Sequence, residues 1–276
     1  FSSVKHLNPS TGQQGDGGVL SFMPMQNGDL MVGCCGGGIH RYDQNMNEIP
    51  VGIKPGNVKR FSTWSMCRLN DNRTIWMGMQ PGIFVYDENT GKGIYHDPPI
   101  LNKRTIRQLA QDRYGNIWIG TQSLGLFKWT ASRAVKDFNA GFEKVKNVPR
   151  TLIEKISIDS KGYVWICTMT HGVYKIDPAS NEIAEHLTED GPPQKKLFLN
   201  AAAAALEYND SIMVIVTGAV NIYNTRSNTI RHITSTNGLP SDMVMSVEKD
   251  KNGFLWLGLL NGLCRINLEK NTFTYY

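Results

Sequence analysis

The chain has 276 residues, of which 41% are hydrophobic and 19% are charged, and its formal net charge is +5. This length suffices for one large all-β domain or two smaller domains, and the composition excludes a disordered tail. No apolar run reaches the roughly 18 residues of a membrane-spanning helix, and the mild positive charge indicates surface solubility rather than a nucleic-acid partner.

The predicted elements follow a short motif that recurs along the chain. Its strongest form places a Trp between two aliphatic residues and ends on a Gly, as in NIWIG, which ends at Gly120. A period in the forties that appears six times is typical of a stacked or radial repeat fold. The copies are DLMVG, TIWMG, NIWIG, YVWIC, SIMVI and FLWLG, centred near positions 31, 76, 118, 165, 213 and 256.

Each repeat contains four short predicted strands. An alternating segment such as IEKISID (153–159) comes before the Trp strand, and the segments GVYKID and IAEHL follow it in the same repeat. Glycine and asparagine turn signals separate the strands. A single sheet of this kind cannot bury both of its faces, whereas sheets packed around an axis can. The sequence therefore predicts an all-β fold, a β-propeller built from four-stranded antiparallel blades.

Three residue types have predicted structural roles in the blade. The repeated Trp is a core residue between neighbouring blades rather than a ligand-stacking residue. The Gly after it leaves room where two sheets approach closely, and a later Gly forms the hairpin turn between the second and third strands. The segment NAAAAALEY (200–208) has helical propensity, but its position in the repeat predicts a first strand.

Both ends of the chain resemble fourth strands, SVKHL near the start and TFTYY at the end. A closed wheel needs only one strand at that junction. Two alternatives follow: the chain is cut from a seven-bladed or longer array, or one end packs irregularly. We expect residues 1–276 to form a single β-propeller domain or a fragment of one, and the start at Phe1 fits a segment of a longer protein.

The repeat at 237–267, NGLPSDMVMSVEKDKNGFLWLGLLNGLCRIN, resembles the two-component regulator propeller repeats of Bacteroides-type hybrid two-component sensors. The segments 106–129 and 156–177 match the same pattern nearly as well, whereas the repeats around Met31 and Met213 lack the Trp. The resemblance implies the periplasmic part of an inner-membrane protein that senses a glycan-derived saccharide. It also implies a neighbouring propeller, an immunoglobulin-like domain, a homodimer and a cytoplasmic histidine kinase, with no enzyme activity in this chain.

Propeller geometry places two kinds of connection on the face that usually carries function. These are the lead-in segments before first strands and the turns between second and third strands. Basic residues in four lead-in segments predict a positively charged opening that binds an acidic or sulfated saccharide. Two aromatic residues in these segments are predicted to stack on the sugar. Ordinary solvated loop residues remain the alternative. The predicted ligand-binding residues are Arg60, Trp64, Lys103, Arg104, Arg150, Lys195, Lys196, Phe198, Gln122, His171 and Asn261.

No cofactor, metal site or catalytic residue is predicted. DKNG (250–253) resembles the start of a calcium loop, but the later bidentate Glu is absent, so the segment is a turn. The five cysteines contain no CxxC pair. A propeller-fold polysaccharide lyase or glycosidase and a pure protein-interaction platform are the competing functions. Against the enzyme, the acids of the predicted face form no evident carboxylate pair; they are Asp97, Glu154, Glu189, Asp190 and Asp242.

Overall fold

A computed structural model describes residues 18–51 and 61–276, and the chain divides into two compact units. Unit 1 ends at Gln111, and unit 2 runs from Asp112 to Tyr276. The described residues contain β-strands, turns and four short 3₁₀-helical segments. The 3₁₀ segments are Pro99–Leu101, Phe138–Gly141, Pro193–Lys195 and Ser235–Asn237. The predicted strand SVKHL lies outside the described residues.

In unit 1, the strands β1 to β8 form two antiparallel groups of four. One parallel pair, Gly38 with Ser62, joins the groups β1–β4 and β5–β8 into a single sheet. The strands are β1 (Val19–Pro24), β2 (Leu30–Cys34), β3 (Gly38–Tyr42), β4 (Glu48–Ile49), β5 (Ser62–Arg68), β6 (Thr74–Gln80), β7 (Ile83–Asp87), β8 (Lys92–His96) and β9 (Ile106–Gln111).

In unit 2, three four-stranded antiparallel sheets follow one another in chain order, β13–β16, β17–β20 and β21–β24, after the antiparallel strands β10–β12. The strands are β10 (Ile117–Thr121), β11 (Leu126–Trp129), β12 (Phe142–Lys144), β13 (Ile153–Ile158), β14 (Val164–Thr168), β15 (Val173–Ile176), β16 (Ile183–Leu187), β17 (Ala204–Asn209), β18 (Ile212–Thr217), β19 (Ala219–Asn224), β20 (Thr229–Ile233), β21 (Val244–Lys249), β22 (Leu255–Leu259), β23 (Gly262–Asn267) and β24 (Thr272–Tyr275).

The predicted strand assignments are confirmed in these sheets. Each of the six repeat centres lies in the second strand of its repeat, namely in β2, β6, β10, β14, β18 and β22. The alanine-rich segment at 200–208 forms the first strand β17 from Ala204 onward rather than a helix. The C-terminal TFTYY forms β24, the fourth strand of its sheet.

The repeat tryptophans are core residues, as predicted. Trp118 and Trp165 have no exposed surface and Trp76 has 2%, whereas Trp256 is only partly buried. Between β13–β16 and β17–β20, Trp165 packs in a cluster with Met213 and Tyr223. Burial of such large side chains between neighbouring sheets supplies the main driving force for their packing.

An aspartate six residues before the Trp locks the turn and the indole together. The Oδ2 atom of Asp159 accepts the indole N–H of Trp165 at 2.9 Å, while Oδ1 accepts the backbone N–H of Tyr163 at 2.8 Å. Asp112 and Asp250 hold Trp118 and Trp256 in the same way, each at 2.8 Å. The DKNG segment is therefore a turn, as predicted, and the indole hydrogen bond is the main cause that lowers the pKa of Asp250.

A basic residue on the third strand stands opposite the Trp and covers its ring. Lys128, Lys175 and Arg265 are the cross-strand partners of the tryptophans of β10, β14 and β22. Their charged groups lie 5.1, 5.3 and 5.7 Å from the ring centres, within the range of cation–π attraction. Lys128 is itself buried, which lowers its pKa, and its Nζ donates to the Pro178 carbonyl at 2.8 Å.

Close approach of neighbouring sheets explains the Gly that follows the Trp in unit 1. A Cβ atom on Gly78 would lie 2.7 Å from the carbonyl oxygen of Ile106, the first residue of β9. The turn glycines have a different role, because Gly172 and Gly218 adopt positive φ angles of 69° and 83°. Both predicted roles of glycine are confirmed at these positions.

Gly172→Ala is expected to destabilise unit 2 by at least about 2 kcal/mol. The new methyl group would meet the backbone carbonyl oxygen of Leu187 at 2.0 Å in addition to the left-handed strain. Gly253→Ala is the matched control, since Gly253 also has a positive φ but its nearest neighbour is 3.8 Å away. Urea unfolding of both variants measures the difference. Equal losses would show that Gly172 has no steric role.

The five cysteines are free thiols, and only Cys35 is exposed. Burial raises the pKa of Cys67 and of Cys264 to about 11, and it raises that of Cys167 further. These thiols are therefore protonated at neutral pH and serve as small apolar core groups.

Candidate ligand-binding cavity

Two kinds of connection meet on one side of unit 2, as predicted for the functional face. The turn after β14 bonds to the lead-in segment of β17, because Gly172 donates to the Asn200 carbonyl and Ala202 donates to the Thr168 carbonyl, each at 2.9 Å. The turn after β18 likewise accepts a 2.9 Å bond at the Gly218 carbonyl from Val244, the first residue of β21. Backbone hydrogen bonds therefore fix the relative positions of these segments.

A cavity of about 500 Å³ opens between these connections. Its volume lies in the range of small-molecule sites. All of its lining residues belong to unit 2 and come from three successive sheets. They are Glu154, Met169, Leu199, Ala201, Ala202, Ala203, Gly218, Asp242, Met243, Val244 and Met245.

Small side chains create this space. Ala201, Ala202 and Ala203 precede β17 and line the cavity, while Ala204 and Ala205 are buried in the strand itself. Ala201 to Ala203 leave a hollow that larger side chains would fill.

Methionine and leucine side chains make the walls apolar. Met169, Met243 and Met245 are 49%, 53% and 58% exposed, and Leu199 is also exposed. The thioether side chain of Met is flexible and polarisable, so such walls adapt to ligands of different shapes. Exposed apolar groups that cluster around a cavity are typical of a binding site rather than of an inert surface.

Two carboxylates, those of Glu154 and Asp242, belong to the cavity lining. Glu154 lies in β13 at a β-bulge between Ile153 and Lys155, and Asp242 lies in the lead-in segment of β21. Both carboxylate oxygens of Asp242 accept 2.6 Å bonds from Ser235, one from its backbone N–H and one from its hydroxyl. No lysine or arginine is among the eleven lining residues.

A second, smaller hollow of about 280 Å³ shares Met243 with this cavity. It is also lined by Leu260 and by Asn261, one of the predicted ligand residues. Leu260 is 61% exposed, so the apolar surface continues from the main cavity toward the turn after β22.

In unit 1, one of the four predicted ligand-binding residues, Trp64, lies outside its expected segment. Arg60 lies outside the described residues. Trp64 lies within β5 rather than in the lead-in segment, and the Arg107 guanidinium covers its ring at 4.1 Å. Lys103 and Arg104 are exposed in the lead-in segment of β9.

In unit 2, the predicted basic residues do not line the main cavity. Lys195 donates to Glu185 at 2.5 Å, so its charge is paired within the protein. Arg150 and Lys196 are exposed, and the Lys196 carbonyl oxygen lies 3.1 Å from His232 Nε2. Phe198 is exposed beside Leu199, with its ring edge-on to His232 at 5.9 Å.

The predicted turn residues occupy the predicted turns. Gln122, His171 and Asn261 are exposed between the second and third strands of their sheets. The Nδ1 atom of His171 lies 2.8 Å from the Thr170 hydroxyl. The structure brings Asn261 close to the main cavity through the shared Met243 but places neither Gln122 nor His171 in its lining.

Within the described ranges, no group of three or more His, Cys, Asp or Glu side chains could hold a metal ion. Among residues 18–51 and 61–276, no helix has the length and apolar character needed to cross a bilayer.

Comparison with known proteins finds similarity in the repeat segments. The family profile described as "Two component regulator propeller" matches residues 100–123 and 238–261, in agreement with the resemblance predicted from the sequence. Histidine kinase P4 of Formosa agariphila is 25% identical over 275 residues, covering 94% of this chain and 19% of that protein. The chain thus spans about a fifth of the length of the curated relative that it matches.

Two solved structures are similar in fold. The extracellular domain of a hybrid two-component system from B. thetaiotaomicron has a TM-score of 0.53 and 18% identity, covering 97% of this chain and 41% of that one. A catalytically inactive virginiamycin B lyase from Staphylococcus aureus has a TM-score of 0.67 and 13% identity, covering 95% and 84%. At such identities the similarity concerns the fold alone, and the predicted all-β propeller class is confirmed.

Proposed function

We propose that this chain, which carries two-component regulator propeller repeats at 100–123 and 238–261, is the extracytoplasmic ligand-sensing part of a hybrid two-component signalling protein. It binds a glycan-derived saccharide and passes the signal to a cytoplasmic histidine kinase outside this chain. The observation that carries the proposal is the cavity of about 500 Å³ in unit 2, on the side where the lead-in segments meet the turns.

Binding, not turnover, is the proposed role of the cavity. Glycosidases need one carboxyl group to donate a proton and a second to act as nucleophile or base. Both oxygens of Asp242 already accept hydrogen bonds from Ser235, which fixes this side chain as a structural element. A glycosidase at this site would therefore have to use a carboxylate that Ser235 already engages.

Signalling requires a ligand that prefers one arrangement of the receptor over another. We propose that this arrangement involves a homodimer of the full-length protein, a neighbouring propeller and an immunoglobulin-like domain. The role as a protein-interaction platform is thus part of the sensor proposal rather than an alternative to it.

The acidic or sulfated form of the ligand has weaker support. None of the described residues that line the main cavity is basic, and Lys195 is paired with Glu185. Recognition of an anion would have to use the exposed Arg150 and Lys196, which lie outside that lining.

A thermal-shift screen with neutral, uronic and sulfated saccharides tests the proposal. A ligand at a hundred times its Kd stabilises the folded state by about 2.7 kcal/mol, so a specific saccharide is expected to raise the melting temperature. Ala201→Trp should abolish this shift because the indole would occupy the part of the cavity that Ala201 lines. Ala179→Trp, in an exposed turn, is the matched control and should preserve it.

Two results would contradict the sensor proposal. One is the absence of a shift with any saccharide. The other is product release from a glycan substrate, which would favour the enzyme.

A further inference from the structure

The character of the cavity lining points to a narrower ligand class, and this inference rests on the proposed function. We propose that the unit 2 cavity selects a small molecule with an apolar body and a hydrogen-bond-donating hydroxyl or ammonium group, and that it discriminates against carboxylates. For a saccharide, this means an uncharged sugar that carries an apolar substituent.

The first argument is that the backbone segments lining the cavity are already held in place before a ligand binds. Ala203 donates to the Val216 carbonyl at 2.8 Å, and Val244 donates to the Gly218 carbonyl at 2.9 Å. These bonds hold the alanine segment and the start of β21 against the turn after β18. The ligand therefore meets walls that need little ordering, which lowers the entropic cost of binding.

The chemistry of the walls is the second argument. Eight of the lining residues present only hydrocarbon or thioether side chains: Met169, Leu199, Ala201, Ala202, Ala203, Met243, Val244 and Met245. Transfer of apolar ligand surface from water to such walls is favourable by roughly 25 cal/mol per Å². An unsubstituted sugar offers little such surface, so its hydroxyl groups would lose water without gaining partners.

Charge is the third argument. Among the described residues of this lining, only Glu154 and Asp242 carry ionisable side chains, and both are acids. Apolar walls strengthen the electrostatic field of a nearby carboxylate because they exclude water. An anionic ligand is therefore repelled, whereas a hydroxyl or ammonium group could donate to the Glu154 carboxylate.

The experiment compares three probes by isothermal titration calorimetry on the whole chain. Phenyl β-D-glucoside carries the apolar group and no charge, phenyl β-D-glucuronide adds a carboxylate, and methyl β-D-glucoside lacks the ring. We expect the phenyl glucoside to bind at least tenfold more tightly than either of the others. Ala201→Trp should abolish its binding, and Ala179→Trp should not.

A charge variant isolates the role of Glu154. Glu154→Gln should reduce the preference for the glucoside over the glucuronide to below threefold, because the repulsion from position 154 is removed. Glu182→Gln is the matched control at an exposed carboxylate outside the cavity lining and should leave the preference unchanged.

The outcomes separate this inference from the proposed function. Tighter binding of the glucuronide, equal binding of all three probes, or no binding of the phenyl glucoside would overturn the ligand class. The sensor proposal would survive each of these results if another saccharide produced a melting shift that Ala201→Trp removes. It would fail if the wider saccharide screen gave no such shift or if a glycan substrate were turned over.

Discussion

Trp165→Ala is expected to destabilise unit 2 by about 3–5 kcal/mol, the usual range for truncating a fully buried Trp. Trp165 has no exposed surface and contacts Tyr223 in an edge-on ring pair at 6.3 Å. Its removal opens a cavity between the sheets β13–β16 and β17–β20 and deprives the Lys175 ammonium of one of its two aromatic partners, the other being Tyr163.

Urea unfolding followed by circular dichroism measures this loss. Trp256→Ala is the matched control, because Trp256 makes the same hydrogen bond to an aspartate but is only partly buried. We expect a clearly smaller loss there. Equal losses in the two variants would contradict the view that inter-sheet burial, rather than the turn contact, sets the contribution of the repeat tryptophans.

Asp159→Ala should destabilise unit 2 by about 2–3 kcal/mol, since hydrogen bonds to a charged group contribute about 1.5–3 kcal/mol and their loss leaves buried donors unsatisfied. The variant removes the acceptor of both the Trp165 indole and the Tyr163 backbone N–H. The indole is completely buried, so water cannot replace the lost partner.

Asp159→Asn separates the effect of the carboxylate charge from that of the position of the acceptor oxygen. The amide retains one acceptor oxygen of similar position, so we expect about half of the loss seen with alanine. Asp190→Ala, at an exposed acid, is the control and should have almost no effect. If Asp159→Ala unfolds at the same urea concentration as the unchanged protein, the aspartate does not lock the blade turn.

The strands were predictable because the repeat supplies six copies of one pattern. The Trp strand, its flanking alternating segments and the turn glycines recur in register, so the weak copies around Met31 and Met213 could be placed by their position. The alanine segment before Tyr208 shows the strength of this argument, because repeat position outweighed helical propensity there.

Contacts that depend on exact strand register were not predicted. The roles of Asp159 and Lys175 became visible only when the pairing placed Lys175 opposite Trp165 and the turn brought Asp159 to the indole nitrogen. The signal was present in the sequence, since an acid stands six residues before three of the repeat tryptophans, Trp118, Trp165 and Trp256.

The candidate cavity was only half predicted. The cavity was expected on this side of the sheets, but its lining was not, because Glu154, Ala203 and Met245 come from three successive repeats and carry no shared motif. The sequence pattern instead favoured the basic loop residues as ligand-binding groups. Whether such a residue is available depends on its tertiary neighbours, as Lys195 shows by its pairing with Glu185.

Methyl NMR of methionine tests most directly the central claim that the ligand binds in the unit 2 cavity. The chain has 11 methionines, which can be labelled with carbon-13 at their methyl groups and assigned by single substitutions. On titration with phenyl β-D-glucoside, the account predicts large shifts for Met169, Met243 and Met245, with the buried Met77 and Met213 unchanged. Two results would contradict binding in this cavity. One is a saturable shift of other methyl signals while those of Met169, Met243 and Met245 stay unchanged, and the other is the absence of any shift.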